Sequence, residues 1–281
     1  MKFARVGAPG AERPVVVDGD TAYALDPITA DVDAAFWESG GVARVADALA
    51  AGSLAEVNLD GLRYGAPITR PSSVFCIGMN YAAHAAESGA EPPTVPILFH
   101  KAPNTVVGPY DEVAIPRGSE KTDWEVELGV VIGKRASYLS SPEHAVDHIA
   151  GYVLVNDLSE RAFQLEVSGG QWSKGKSCAG FCPTGPWVVT PDEFDPADAG
   201  IASWVNGEAR QSSRTADMIF DVPTIVHQLS QYLVLEPGDL ICTGTPEGVA
   251  LSGRFPYLST GDIAELSIDG LGRQRQLFVQ A

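Results

Sequence analysis

Basic residues, cysteines and long apolar runs are what this sequence has least of. Nineteen Lys and Arg stand against 36 Asp and Glu, a formal net charge of −17. Phosphate neutralisation needs clustered Lys and Arg, so this balance argues against a nucleic-acid partner. The same acid excess disfavours docking on anionic lipid. No apolar run approaches the roughly 18 residues of a membrane-spanning helix. The opening residues, Met1-Lys2-Phe3-Ala4-Arg5-Val6, lack a signal-peptide core. The expectation is a soluble, cytoplasmic protein with no membrane partner. The four cysteines, Cys76, Cys178, Cys182 and Cys242, are too few and scattered for a disulfide framework. Cys178 and Cys182 are not spaced as a C-x-x-C pair, and buried, reduced thiols are expected.

What is present is an ordinary globular composition, 45% apolar and 20% charged over 281 residues. That length suffices for one large domain, with or without a small appendage. The 29 glycines and 20 prolines fall between short Val/Ile-rich runs, the pattern of strands joined by tight turns. Val15–Val17, the Asp18-Gly19 turn and Thr21–Leu25 read as a hairpin. An Ala-rich helix over 42–51 closes at Gly52. Residues 66–71 read as a linker, placing a small N-terminal domain at 1–69 and the main body at 70–281. In the main body, strands are expected at 74–77, 97–99, 125–132, 151–155, 187–189, 239–243 and 263–268. One long helix, 222–235, has Asp221 as its N-cap and Pro237-Gly238 as its stop. Strands outnumber helices and do not alternate with them. The expected class is therefore α+β, mainly β, a mixed roll or barrel rather than a doubly wound sheet.

Several segments carry chemistry. Gly170 to Ser177 matches the phosphate-loop pattern G-x-x-x-x-G-K-[ST], but Gly180, Pro183, Gly185 and Pro186 follow where that motif needs a helix. Nucleotide binding is set aside, and Lys176 needs another explanation. In Asp123-Trp124-Glu125-Val126-Glu127-Leu128, strand alternation puts the three acids on one face. On this segment alone a solvated sheet face is the better reading. The apolar strand Gly151–Val155, ending in Asn156-Asp157, shifts the balance. Glu125, Glu127 and Asp157 would be three hard oxygen ligands without Cys or His, a set suited to Mg²⁺ or Mn²⁺. Lys176 is the candidate to offset their surplus charge. His84 and Glu87, three apart on an Ala-rich helix, form a candidate base with its orienting carboxylate. The flexible stretch that follows, 88–93, makes that helix a candidate lid. His144 and His148 read as a polar surface pair, and His227 as structural.

These segments together resemble the fumarylacetoacetate hydrolase family, from about Arg70 to the C-terminus. The carrying motifs are Gly78-Met79-Asn80-Tyr81 with His84 and Glu87, then Asp123 to Leu128. Asn156 to Arg161, Gly175-Lys176-Ser177, Gly185-Pro186-Trp187 and Gly238 to Pro246 complete them. The resemblance implies a mixed β-roll, a homodimer, and a Mg²⁺ or Mn²⁺ site that Ca²⁺ can fill in a crystal. It implies metal ligation by Glu125, Glu127 and Asp157, and catalysis by His84, Glu87 and Lys176. Substrate contacts fall to Arg161, Gln164, Thr245 and Lys101. The implied activity is hydrolysis of a C–C bond in a 2,4-diketo acid of acylpyruvate type, through a metal-held enolate. Two alternatives stay open: decarboxylation or tautomerisation of an oxaloacetate-type acid, and silent binding of a 2-oxo acid. The run after Lys176, Ser177-Cys178-Ala179-Gly180, departs from the acid and threonine that related sequences often carry there.

Overall fold

In the computed structural model, which describes residues 1–281, the apolar runs assemble into two principal sheets. The larger has nine strands. Its order is Thr21–Ala24, Arg13–Asp18, Lys2–Val6, Val188–Val189, Ile149–Asn156, Val126–Ile132, Leu240–Cys242, Val74–Gly78 and Ile97–Lys101. The smaller has five: Glu208–Arg214, Gly200–Val205, Ile263–Ile268, Gly272–Gln280 and Val113–Ile115. The class is mainly β with short helices, as expected.

The central strands read as continuous apolar runs because both of their faces are covered. Val126, Leu128 and Val130, with Leu154 of the neighbouring strand, pack with Ile201, Leu266 and Phe278 of the smaller sheet. Val131, Val153 and Val155 take the opposite face and share a core with Phe3, Phe36 and Trp37. The sheet runs across the sequence boundary near residue 70, since Lys2 and Phe3 pair with Val189 and Val188. Arg63 also clasps Glu12 at 2.9 Å and Asp111 at 2.5 Å.

Several elements differ in their bounds from expectation, among them these three. The helix beginning at Val222 ends at Ser230, not Leu235. The Ser230 carbonyl accepts the Tyr138 amide, and Leu235 pairs with Ala136, drawing the chain out of the helix. The carboxylate strand is interrupted: Thr122–Asp123 pairs with Ser159–Glu160, and the long strand starts only at Val126. Trp187 precedes its strand, Val188–Val189. All four cysteines are free thiols, three buried and Cys178 half-buried. No helix is long and apolar enough to cross a membrane.

Candidate active site

Where the strands Val126–Ile132 and Ile149–Asn156 meet, three carboxylates converge. Glu127 alternates with Val126 and Leu128 and so emerges on the sheet face away from them. Glu125 sits just before the strand, its amide donating to Asn156 Oδ1 (3.2 Å) while its carbonyl accepts the Asp157 amide (2.9 Å). Carboxylate oxygens of Glu125, Glu127 and Asp157 lie within 4.8 Å of one another. The residues are 5%, 1% and 0% exposed, which overturns the solvated-face reading of that segment.

Three cations surround them. Lys176 Nζ donates to Glu125 Oε2 (2.7 Å) and Asp157 Oδ2 (2.8 Å). Lys101 Nζ takes the other side of Asp157, donating to Oδ1 at 2.5 Å and to the Leu158 carbonyl at 3.0 Å. Arg161 donates from Nε to Asp123 Oδ2 (2.8 Å) and from Nη1 to Gln164 Oε1 (2.9 Å). Its Nη2 lies 2.7 Å from Glu125 Oε1, a charge contact off the line of a hydrogen bond.

This arrangement splits two neighbouring carboxyls. Burial opposes ionisation of Glu125, but Lys176 and Arg161 outweigh it and hold the group well below the usual range. Glu127 is pushed well above that range, by burial first and then by the charges of Asp157 and Glu125. Its one hydrogen bond within the protein is from the Gly244 amide, at 2.9 Å. Burial works against the ammonium of Lys176, yet Asp157 and Glu125 raise it above the ordinary lysine value. A clustered set of oxygen donors with one member so poorly neutralised fits a hard divalent cation. No other group of three or more His, Cys, Asp and Glu side chains comes together in this way.

Across a cavity of about 280 Å³ stands the short helix Ala82–Glu87. His84 is 4% exposed, and its Nδ1 lies 3.0 Å from Glu87 Oε1, leaving Nε2 unbound. Glu87 is held in turn by the Gly248 amide (3.1 Å) and Arg254 Nη2 (2.5 Å). Burial raises the Glu87 carboxyl, but His84, the Gly248 amide and Arg254 bring it below its ordinary value. It remains an ionised orienter.

The cavity brings together His84, Glu87, Glu125, Glu127, Arg161, Gln164, Lys176 and Thr245. Lys101 and Asp157 are not among its lining residues, so the expectation that Lys101 lines the cavity is corrected. The strand Ile97–Lys101 runs along the sheet edge behind Asp157, and that places the ammonium on its far side. Thr245 does line the cavity, but its hydroxyl donates to the Val126 carbonyl (2.9 Å) and accepts from Gln211 (2.7 Å).

The phosphate-loop match resolves as a single turn, Ser173–Lys176, whose Lys176 faces carboxylates. A Cβ at Gly175 would lie 2.4 Å from the Glu160 carbonyl, so that glycine serves close backbone approach. His144 and His148 bind separately, to Ser140 and to the Lys134 carbonyl.

Sequence reasoning missed Asp123 as the anchor of Arg161, and Arg254 and Gly248 as the seat of Glu87. The first was legible as a third acid in the alternating run. The others lie more than 150 residues from Glu87 and carry no local signal. It also missed the wall of Phe99 and Trp172, whose rings meet edge to face at 5.6 Å.

The fumarylacetoacetate (FAA) hydrolase C-terminal model matches residues 73–279. The chain is 45% identical over 280 residues to a 2,4-didehydro-3-deoxy-L-rhamnonate hydrolase of Sphingomonas sp. (strain SKA58), covering 98% of this chain and 95% of that one. It is 44% identical over 209 residues to a mitochondrial oxaloacetate tautomerase of Bos taurus, covering 74% of this chain and 66% of the relative. The crystal structure of maleylpyruvate hydrolase from Sphingobium sp. SYK-6, in complex with manganese (II) ion and pyruvate, superposes over 100% of both chains. Its TM-score is 0.82 at 29% identity.

Proposed function

Because this chain belongs to the fumarylacetoacetate hydrolase family, we propose that it hydrolyses a 2,4-diketo acid of acylpyruvate type, with a divalent cation as cofactor. The observation that carries this reading is the facing of two constellations across one cavity: Glu125 and Glu127, with Asp157 clustered behind them, and the His84–Glu87 dyad. The three carboxylates are the groups that would hold Mg²⁺ or Mn²⁺. When bound, such an ion supplies Lewis-acid polarisation of the substrate's keto and carboxylate oxygens.

The chain's own residues account for the other steps. Glu87 fixes the His84 ring through Nδ1, so Nε2 takes a proton from water. The water oxygen bonds to the 4-carbonyl carbon, and the bond between C3 and C4 breaks. Its electron pair delocalises toward the 2-keto oxygen, and the ammonium of Lys176 stabilises the charge that develops. The proton held on His84 returns to C3, giving a carboxylic acid and pyruvate. The Gln164 amide nitrogen makes no hydrogen bond within the protein and is free to hold the substrate carboxylate. Helix Ala82–Glu87 contributes His84 and Glu87 to the cavity wall.

The tautomerase relative supports a second reading on the same residues, in which an oxaloacetate-type acid is enolised without attack by water. The deciding experiment is a Mg²⁺-supplemented assay of acylpyruvate cleavage and oxaloacetate turnover in wild type and His84→Ala. The hydrolytic reading expects a loss of cleavage of about 10²–10⁴-fold in the variant. Cleavage at the wild-type rate would refute His84 as the base. Turnover of oxaloacetate alone would assign the second reading.

A further inference from the structure

The two sides of the cavity are joined through a residue that lines neither. Asp123 is 0% exposed and is not part of the cavity wall. Its carboxylate accepts four hydrogen bonds, two on each oxygen. Oδ1 takes the Trp124 amide (2.9 Å) and the Ala250 amide (2.8 Å). Oδ2 takes Arg161 Nε (2.8 Å) and the Leu251 amide (3.0 Å). The amides alone would tie down the turn Ala250–Ser252, so the guanidinium is a partner that the turn does not need.

Through Arg161, Asp123 reaches the carboxylate side, because Arg161 Nη2 lies 2.7 Å from Glu125 Oε1. Through the turn it reaches the base side. Gly248, just before the turn, donates its amide to both oxygens of Glu87 (3.1 Å each), and Arg254, just after it, contacts Glu87 at 2.5 Å. Backbone packing holds this segment in place: a Cβ at Gly248 would lie 2.2 Å from the Arg210 carbonyl. Phe255 stacks under the Arg210 guanidinium at 4.7 Å. Glu160 is buried nearby, but its carboxylate takes Ser119, Thr122 and the Ala162 amide and leaves Arg161 to Asp123.

We propose that Asp123 is a positioning residue for the reaction. It holds the seat of Glu87 and the guanidinium of Arg161 in one frame, and so sets how His84 stands relative to Glu125. This rests on the reading of His84 and Glu87 as the base and its orienter. Asparagine cannot take over the role, since its amide nitrogen would point at two donors in either orientation.

The test uses the full chain with Mg²⁺ and two readouts. The first is the downfield proton NMR signal of His84 Nδ1–H, identified by its loss in Glu87→Gln. Asp123→Asn is expected to shift or abolish it. The second is kcat for acylpyruvate cleavage. Asp123→Asn is expected to lower it about a hundredfold in the wild-type background, the scale of a misplacement of about 1 Å, and less than about tenfold in Glu87→Gln. A folded Asp123→Asn that keeps the signal, or that costs the same factor in both backgrounds, overturns the proposal and leaves Asp123 a scaffold residue. A wild type without such a signal overturns it as well. Should Asp123→Asn not fold, Arg161→Met cuts the same link from its other end: a shifted signal upholds the proposal, and an unmoved one overturns it. If wild type cleaves no acylpyruvate, the hydrolytic reading falls and the NMR signal alone decides this inference.

Discussion

Glu127 is the residue whose replacement tests the charge balance of the site most directly. Without a cation its carboxylate is 1% exposed, lies beside Asp157 and Glu125, and has only the Gly244 amide as partner. Glu127→Gln keeps the shape and the acceptor oxygen and removes a carboxyl whose ionised form burial, Asp157 and Glu125 all disfavour. The cation-free variant is expected to be more stable than wild type by about 1–3 kcal/mol, the usual scale for a poorly compensated buried polar group. Its response to metal should move the opposite way. In wild type, Mg²⁺ at a hundredfold excess over Kd adds about 2.7 kcal/mol, roughly 5–10 °C in Tm for a chain of this size. In Glu127→Gln that increment should nearly vanish, because Lys176, Lys101 and Arg161 together already neutralise the two remaining ligands. Thermal unfolding with EDTA and with graded Mg²⁺ or Mn²⁺ reads both effects. A variant less stable than wild type in EDTA, or one that keeps the full metal increment, would refute the reasoning.

Two further outcomes follow from the packing. Burial pushes the Glu12 carboxyl up, but its own backbone amide, Arg63 and Arg5 outweigh that and lower it, so its contribution is fully present above the ordinary carboxylate range. That contribution is lost as pH falls through the depressed folded value. Glu12→Gln should flatten this part of the acid-unfolding curve, measured by urea titration between about pH 5 and 3. An unchanged curve would separate Glu12 from the clasp on the N-terminal strands. Asp221 accepts the Thr224 amide at 2.9 Å as the N-cap of helix Val222–Ser230. Asp221→Ala should cost about 1 kcal/mol in chemical denaturation and leave the cavity geometry alone.

Much of this protein was legible without coordinates. Alternation in Val126–Ile132 and the apolar run Ile149–Asn156 are local properties, and they placed Glu127 and Asp157 where the strands now hold them. The three-residue spacing of His84 and Glu87 on a helix was equally local. Lys101 was harder. Its strand was readable, but its side of Asp157 depended on sheet order, which pairs Ile97–Lys101 with Val74–Gly78 at the edge. The helix end at Ser230 was set by the Tyr138 and Leu139 amides, more than 90 residues away in the chain.

By itself the sequence determined the element types, the mainly β class, the acid-rich surface balance and the identity of the chemical groups. Periodicity and residue chemistry act over a few positions, and those properties need nothing more. The tertiary structure alone decided which charges meet. It set Arg161 on Asp123 and Lys101 behind Asp157, seated Glu87 on Gly248 and Arg254, and left Glu127 without a cation. Burial and distance give a carboxylate its strength, and both come into being only when strands distant in sequence are packed together.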